Sequence, residues 1–274
     1  MSRPSTPLVT DLTLARRLER AEGSANAAFV EAHAARTPSL GAAWVDVSGT
    51  YAMFDGVESP ITQTFGLGLF SPPADDDLDA LEHFFHSRGA KVHHEVCPLA
   101  DVALLTHLSR RGYQAIELST VMVQQLETPP SVSTHPTTIV AREVAADEIE
   151  AWVDASARGW SDTPEAAEFM REFGPVSASS RGVTCFVAEL DGAIVGTGAL
   201  ATHEGVALLA GASTIPQWRG RGAQTALLLS RLAVAAEQGC DLAMMAAAPG
   251  STSQLNAERQ GFRIAYTRTK WQRA

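Results

Sequence analysis

The sequence predicts an α/β (α+β) chain built as two domains, and three observations carry that expectation. A helix, strand, helix, Gly-aromatic order occurs twice, a Pro/Ser/Thr-rich stretch separates the two occurrences, and an arginine- and glycine-rich turn joins a strand-like run to a helix-like run in the second half only. The first occurrence leads from Phe84-Phe85-His86-Ser87-Arg88-Gly89 through 92–98 to Leu104, Leu108 and Arg111-Gly112-Tyr113. The second leads from Ala236-Glu237-Gln238-Gly239 through 242–249 to Arg259-Gln260-Gly261-Phe262. Gly89 and Gly112 are 23 residues apart and Gly239 and Gly261 are 22 apart, the spacing of an internal repeat. Glu127-Thr128-Pro129-Pro130-Ser131-Val132-Ser133-Thr134-His135-Pro136 is the clearest linker. The expected division is therefore 1–126, a linker at 127–138, and 139–274.

Taken in order, the first half prepares its long helix with Ser71-Pro72-Pro73-Ala74-Asp75-Asp76-Asp77-Leu78. Three aspartates at a helix N-terminus favour the helix through its dipole and would repel a phosphate. In the second half 138–144 reads as a strand, 147–158 and 164–179 as helices, and 183–190 alternates like a strand. Asp191-Gly192 is a hairpin signal leading into a strand at 193–202. Segment 206–215 is apolar and uncharged, as a buried strand requires, and Pro216 ends it. From Ala223 the residues are good helix formers, running to a Gly239 suited to a helix C-terminus. A buried strand follows at 242–247, then Ser251-Thr252-Ser253 opens a short helix that Gly261-Phe262 closes before a last strand at 262–271.

The turn between the strand at 206–215 and the helix from Ala223 reads Pro216-Gln217-Trp218-Arg219-Gly220-Arg221-Gly222-Ala223-Gln224-Thr225. Gly220 and Gly222 allow a tight turn and close approach of a ligand to the backbone. The first N–H groups of the following helix lack intrahelical partners and, with the macrodipole, attract an anion. Arg219 and Arg221 add positive charge at the same place. A Walker loop needs Lys and then Ser or Thr after its last glycine, but Gly222 is followed by Ala223 and Gln224. A dinucleotide fingerprint needs a third glycine where Thr225 stands.

The turn resembles the acetyl-CoA loop of the GNAT superfamily of N-acetyltransferases: Arg or Gln, two residues, Gly, one residue, Gly or Ala. Arg219 to Ala223 match, Pro216 stands three residues before the arginine, and Gln224 departs where Gly or Ala is usual. The resemblance covers roughly 137–274, whose element order is the family's. Ser253 to Phe262 resembles the family's second block, a helix beside the pantetheine arm ended by Gly-Phe. The first half shares the repeat without the loop, which makes the chain resemble a tandem pair of GNAT-like domains, each a mixed, mostly antiparallel twisted sheet flanked by helices.

The resemblance implies acetyl-CoA as donor, held by Arg219, Gly220, Arg221, Gly222, Ala223, Gln224, Thr225 and Asn256. In the family strands four and five splay, and a strand-four N–H binds the thioester oxygen; Ser213, Thr214 and Ile215 occupy that neighbourhood here. A direct acyl transfer to an amine needs a group to take the ammonium proton, directly or through water, and a donor for the oxyanion. Many members carry a Tyr four residues before the Gly of the Gly-Phe pair, where this chain has Ala257; Ser253 on the same helix is the substitute. Strand four holds no acid between Val206 and Ile215, which leaves Glu204, beside His203, as the nearest base. Trp160, Asp162 and Glu165 fall where the family forms a substrate wall. The two functional expectations are an N-acetyltransferase acting on a small-molecule amine or a peptide amino group, and a non-catalytic acyl-CoA-binding sensor or partner module.

With 274 residues, of which 45% are hydrophobic, the chain has material for two cores. Its net charge of −10 argues against a nucleic-acid partner and suits a neutral or cationic substrate. Met1 to Pro7 is polar and no run reaches the ~18 apolar residues of a membrane span, so no membrane partner and a cytoplasmic location are expected. Cys97, Cys185 and Cys240 read as buried reduced thiols rather than a disulfide or metal set. His83, His86, His93 and His94 do not converge as three metal ligands would, and no metal is expected. A homodimer through sheet edges is compatible with the pattern, with no residue that specifies it.

Overall fold

The computed structural model describes residues 8–72, 74–126 and 138–274. The linker expected at 127–138, apart from its last residue, and the polar segment Met1 to Pro7 lie outside the described residues. The first half contains α1 (Leu12–Arg36), β1 (Ala43–Val47), β2 (Thr50–Phe54), β3 (Gln63–Phe65), α2 (Asp75–His86), β4 (Val92–Val96), α3 (Ala103–Arg110) and β5 (Gln114–Gln125). The second contains β6 (Val140–Glu143), α4 (Ile149–Gly159), α5 (Pro164–Ser179), β7 (Val183–Leu190), β8 (Ala193–His203), β9 (Val206–Thr214), α6 (Ala223–Glu237), β10 (Leu242–Ala247), α7 (Thr252–Arg259) and β11 (Arg263–Arg273). Strands β7 and β10 and helix α5 have the expected bounds; the helix expected at 147–158 begins instead with a 3₁₀ turn at Ala146–Glu148.

The repeat is visible in how the helices end. Gly89, Gly112, Gly239 and Gly261 all lie in the left-handed region, with φ between 72° and 94°. After each glycine the next amide reaches five residues back: Ala90 to Phe85, Tyr113 to Leu108, Cys240 to Ala235 and Phe262 to Ala257, at 2.9 to 3.1 Å. These are Schellman-type closures, in which only a residue free of a Cβ turns without strain. The hairpin at Asp191-Gly192 forms as expected, and Glu204-Gly205 forms a second of the same kind, both residues of each pair having positive φ.

Both halves contribute mixed, mostly antiparallel strands, and they join in one sheet ordered β1-β2-β3-β4-β11-β5-β10-β9-β8-β7-β6. Pairing is parallel at β3–β4 and at β9–β10 and antiparallel elsewhere. The order contains a reciprocal exchange. The last strand of the chain, β11, lies between β4 and β5 of the first half, and β5 lies against β10 of the second. A buried ion cluster fixes β11 there. Arg268, 2% exposed, donates to Glu22 at 2.7 Å, lies near Glu19 and Glu95, and covers the Phe65 ring, while the Tyr266 hydroxyl donates to Glu19 at 2.8 Å.

Helices cover both faces. On one face of the second half, Leu227, Leu228 and Leu232 of α6 pack against Phe186, Leu200 and Leu209. On the other, α4 buries Trp152, whose indole donates to the Phe186 carbonyl at 3.1 Å. The first-half helix α1 also crosses to the second half, placing Leu14 and Leu18 against Val206, Leu208, Leu242 and Met244. Each such leucine stabilises by about 1.5–3 kcal/mol on burial, so the halves are joined by side-chain packing as well as by strand pairing. Among the described residues no helix is long and apolar enough to cross a membrane.

Candidate active site

A cavity of about 930 Å³ opens between β9 and β10 at their C-terminal ends. The two strands pair only from Val206↔Leu242 to Leu208↔Met244, and beyond that they part. The cavity occupies the opening, with Leu209 to Thr214 on one wall, Met245 and Ala246 on the other, and the start of α6 at one end. A bulge helps to separate them: between Thr197 and Ala199 of β8, strand β9 places Ser213 and Ala210, one residue too many, with Gly211 at φ 60°. An extra residue bends the bulged strand and disrupts the ladder locally. The Ile215 amide donates to Val195 across β8, so strand alternation turns the Thr214 amide the other way, toward the opening.

Gly222 caps α6 at φ 93° without a side-chain cap, and Gly220 has φ 75°. The first amides of α6 are therefore uncapped by side chains, and Gly222, Ala223, Gln224 and Thr225 line the cavity. This is the arrangement that binds an anion through backbone dipoles. The Gln224 side chain, long for its place, turns back and donates to the Thr214 hydroxyl at 2.8 Å. Arg219 lines the cavity too, but its guanidinium is engaged: it donates to the Thr214 carbonyl at 3.2 Å and the Gly159 carbonyl at 3.0 Å, and is paired with Asp162. Arg221 lies over the Trp218 ring, 4.8 Å from its centroid, and is not among the lining residues.

The other expected positions divide. Ser253 and Asn256 of α7 line the cavity beside Ala257, as do Trp160 and Asp162 from the segment between α4 and α5; Glu165 does not. Ser213 lines it but is buried and occupied, its hydroxyl 3.0 Å from that of Thr197 and donating to the Ser156 carbonyl. Ile215 is buried behind the wall with its amide used. Glu204 does not join the site. It stands in the β8–β9 turn with its side chain 83% exposed, and at ~3.3 Å per residue it is roughly 20 Å along the strand from Gly211. Asp162 is the carboxylate among the lining residues, at the cavity's edge and held by Arg219.

Pattern reading missed Arg231. It is 3% exposed, lines the cavity from α6, and donates to the carbonyls of Leu227 at 3.1 Å, Ala199 at 3.1 Å and Ala210 at 3.4 Å. Burial lowers its pKa to about 10, so it stays cationic at neutral pH. Its spacing was a signal, since Arg231 follows Leu227 by four residues and Leu228 by three and so shares their buried stripe.

The corresponding place in the first half is closed. Leu67 and Leu69 are buried where the loop would stand, and the Gly68 carbonyl accepts the Asp101 amide at 3.4 Å. Between β3 and β4, buried His94 bonds the Thr64 hydroxyl at 2.8 Å and the Tyr113 hydroxyl at 3.1 Å, and burial pushes its pKa down to about 3. Cys97, Cys185 and Cys240 are free and buried, as expected, and burial raises the pKa of each thiol. Among the described residues no three His, Cys, Asp or Glu side chains gather to hold a metal ion.

Residues 146–262 match the profile of the Acetyltransferase (GNAT) family. That match covers less than half of the chain and makes its second half similar to the GNAT acetyltransferases. The chain's whole length has the fold of tandem GNAT proteins: a tandem GNAT protein from the clavulanic acid biosynthesis pathway is 15% identical with a TM-score of 0.57, over 98% of this chain and 97% of that one. A GCN5-related N-acetyltransferase from Kribbella flavida is 18% identical with a TM-score of 0.66, over 94% and 95% of the two chains. A GCN5-related N-acetyltransferase from Sphaerobacter thermophilus is 21% identical with a TM-score of 0.52, over 72% of this chain and 66% of that one. No curated protein matches the sequence. In the GNAT frame β9 and β10 are strands four and five, and α6 carries the loop that the first half lacks.

Proposed function

We propose that this protein transfers an acyl group, acetyl in the simplest case, from a CoA thioester to a primary amine by direct attack, and that only its second half binds the donor. One observation carries the reading: a single cavity runs from the uncapped start of α6 into the opening where β9 bulges away from β10. The pyrophosphate of CoA fits the α6 amides behind Gly220 and Gly222, and Ser253 and Asn256 flank the arm on α7. The amine nitrogen attacks the thioester carbon, the carbonyl oxygen takes negative charge and receives the Thr214 amide, and the C–S bond then breaks. The ammonium proton passes through water to the departing thiolate, with the Ser253 hydroxyl as relay. Trp160 and Asp162 form the acceptor side, where a carboxylate attracts a cationic amine, which releases one proton to bulk water before its nitrogen attacks.

A second reading, an acyl-CoA-binding module without turnover, is favoured by two observations: the carboxylate at the cavity is held by Arg219, and Ala257 stands in place of a phenol. Calorimetric titration with acetyl-CoA, run beside Gln224→Glu, tests the shared premise. The variant is nearly isosteric and places a negative charge in the first turn of α6, so it should bind at least tenfold more weakly than wild type. Equal binding by both proteins, or none by wild type, sinks the donor assignment. Thiol release in the presence of an amine panel then separates transferase from module.

A further inference from the structure

Arg231 is a buried cation with no anion beside it among the described residues. Among the described residues it makes no salt bridge, and its Nε and Nη1 are spent on three backbone carbonyls, leaving Nη2 without an acceptor on a residue that lines the cavity. Its place is prepared: a Cβ on Gly198 would stand 3.1 Å from both Cζ and Nη1, so the glycine makes room for the guanidinium. The three carbonyls then fix its direction, because Ala199 and Ala210 flank the β8–β9 bulge. Charges taken out of water are retained where a partner compensates them, and none does so here.

The cofactor's phosphates are not that partner. Arg231 lies eight residues along α6 from Ala223, about 12 Å from the helix start at ~1.5 Å per residue, which puts it beside the bulge, at the acyl end of the cavity. We propose that Arg231 recognises a carboxylate at that end, carried either on the acyl group of a dicarboxylic monothioester or on the acceptor amine. This inference rests on the acyl-CoA reading of the cavity and narrows its substrate class. A planar guanidinium with one free edge suits a carboxylate better than a neutral acyl terminus, which would leave the charge uncompensated.

Calorimetry of wild-type protein with free CoA, acetyl-CoA and succinyl-CoA tests the donor source. Titration of the CoA-bound protein with β-alanine against propylamine tests the acceptor source. The expected result is at least a tenfold preference for the carboxylated member of one pair, abolished in Arg231→Met with free-CoA binding retained. Arg231→Lys keeps part of the preference, and Gly198→Ala, which crowds the guanidinium without removing it, reduces it. If Arg231→Met does not fold, the wild-type preference and the other two variants decide. Binding of CoA with no preference beyond twofold in either pair, or a preference that survives Arg231→Met, overturns the proposal. Failure of wild type to bind CoA overturns the reading of the cavity and this inference with it.

Discussion

Gly159 gives the sharpest test of how the cavity wall is built. It ends α4 against the bulged part of β9, and a Cβ there would lie 2.2 Å from the Ser213 hydroxyl oxygen, 2.6 Å from the Ser213 Cβ and 3.3 Å from the Thr214 nitrogen. Ser213 has little freedom to yield, because it is buried and bonded to Thr197 and to the Ser156 carbonyl. Gly159→Ala should therefore cost roughly 1–3 kcal/mol for overpacking and about 1–3 kcal/mol for the hydroxyl's disturbed partners. The better helix propensity of alanine offsets at most about 1 kcal/mol. The net cost is roughly 1–6 kcal/mol, and at ~2–4 °C per kcal/mol for chains of this order of size Tm falls by roughly 2–24 °C. Because the Gly159 carbonyl also holds Arg219, CoA binding should weaken as well. The double variant Gly159→Ala, Ser213→Gly removes the nearest two atoms and should recover at least half of the lost Tm. Calorimetry showing a Gly159→Ala protein within 1 °C of wild type with unchanged CoA affinity would refute the wall as described.

Further outcomes follow from the same geometry. Glu204→Gln should change kcat less than threefold, whereas Ser253→Ala should lower it by about 10² if its hydroxyl relays the proton; the reverse order of effects in steady-state kinetics would return the turn glutamate to the mechanism. Burial raises the Glu19 pKa to about 7, so the folded state holds a proton that the unfolded chain releases near its ordinary carboxylate pKa of about 4.3. The stability this group contributes is present below the unfolded value and is lost as pH rises toward 7; Glu19→Gln should flatten that slope in denaturant titrations between pH 4.5 and 7.5, and an unchanged slope excludes Glu19 as its source. A fragment of residues 139–274 should fail to give a cooperative thermal transition, since β10 would lack β5 and β11 would lack both of its neighbours; a sharp transition for that fragment would mean that β11 can settle elsewhere.

Much of this was legible because local chemistry dictated it. The helix-ending glycines marked the repeat, Asp191-Gly192 could make only a hairpin of one kind, and Gly220 and Gly222 announced a backbone able to turn close to an anion. Helix α1 was not legible: its buried face is built largely from Ala15, Ala21, Ala27 and Ala28 and includes a buried Glu19, whose partner Arg268 comes from the far end of the chain. The strand exchange was also hidden, because periodicity says that a segment is a strand without naming its neighbours. At the site, the loop and α7 were placed by pattern. The fates of Arg219, pinned by Asp162, and of Glu204, left at the other end of its strand, depended on contacts between distant segments.

The position of β11 also constrains how the protein can be made. The slot between β4 and β5 is filled by residues Arg263–Arg273, which are synthesised long after both of their neighbours. Until they emerge, the N-terminal half cannot complete its sheet however long it has been exposed, and Glu22 and the acids Glu19 and Glu95, both buried in the finished fold, await the arginine that lies among them. The first half therefore completes its sheet only once the second has been made, with a late segment threading into an early one as a clasp.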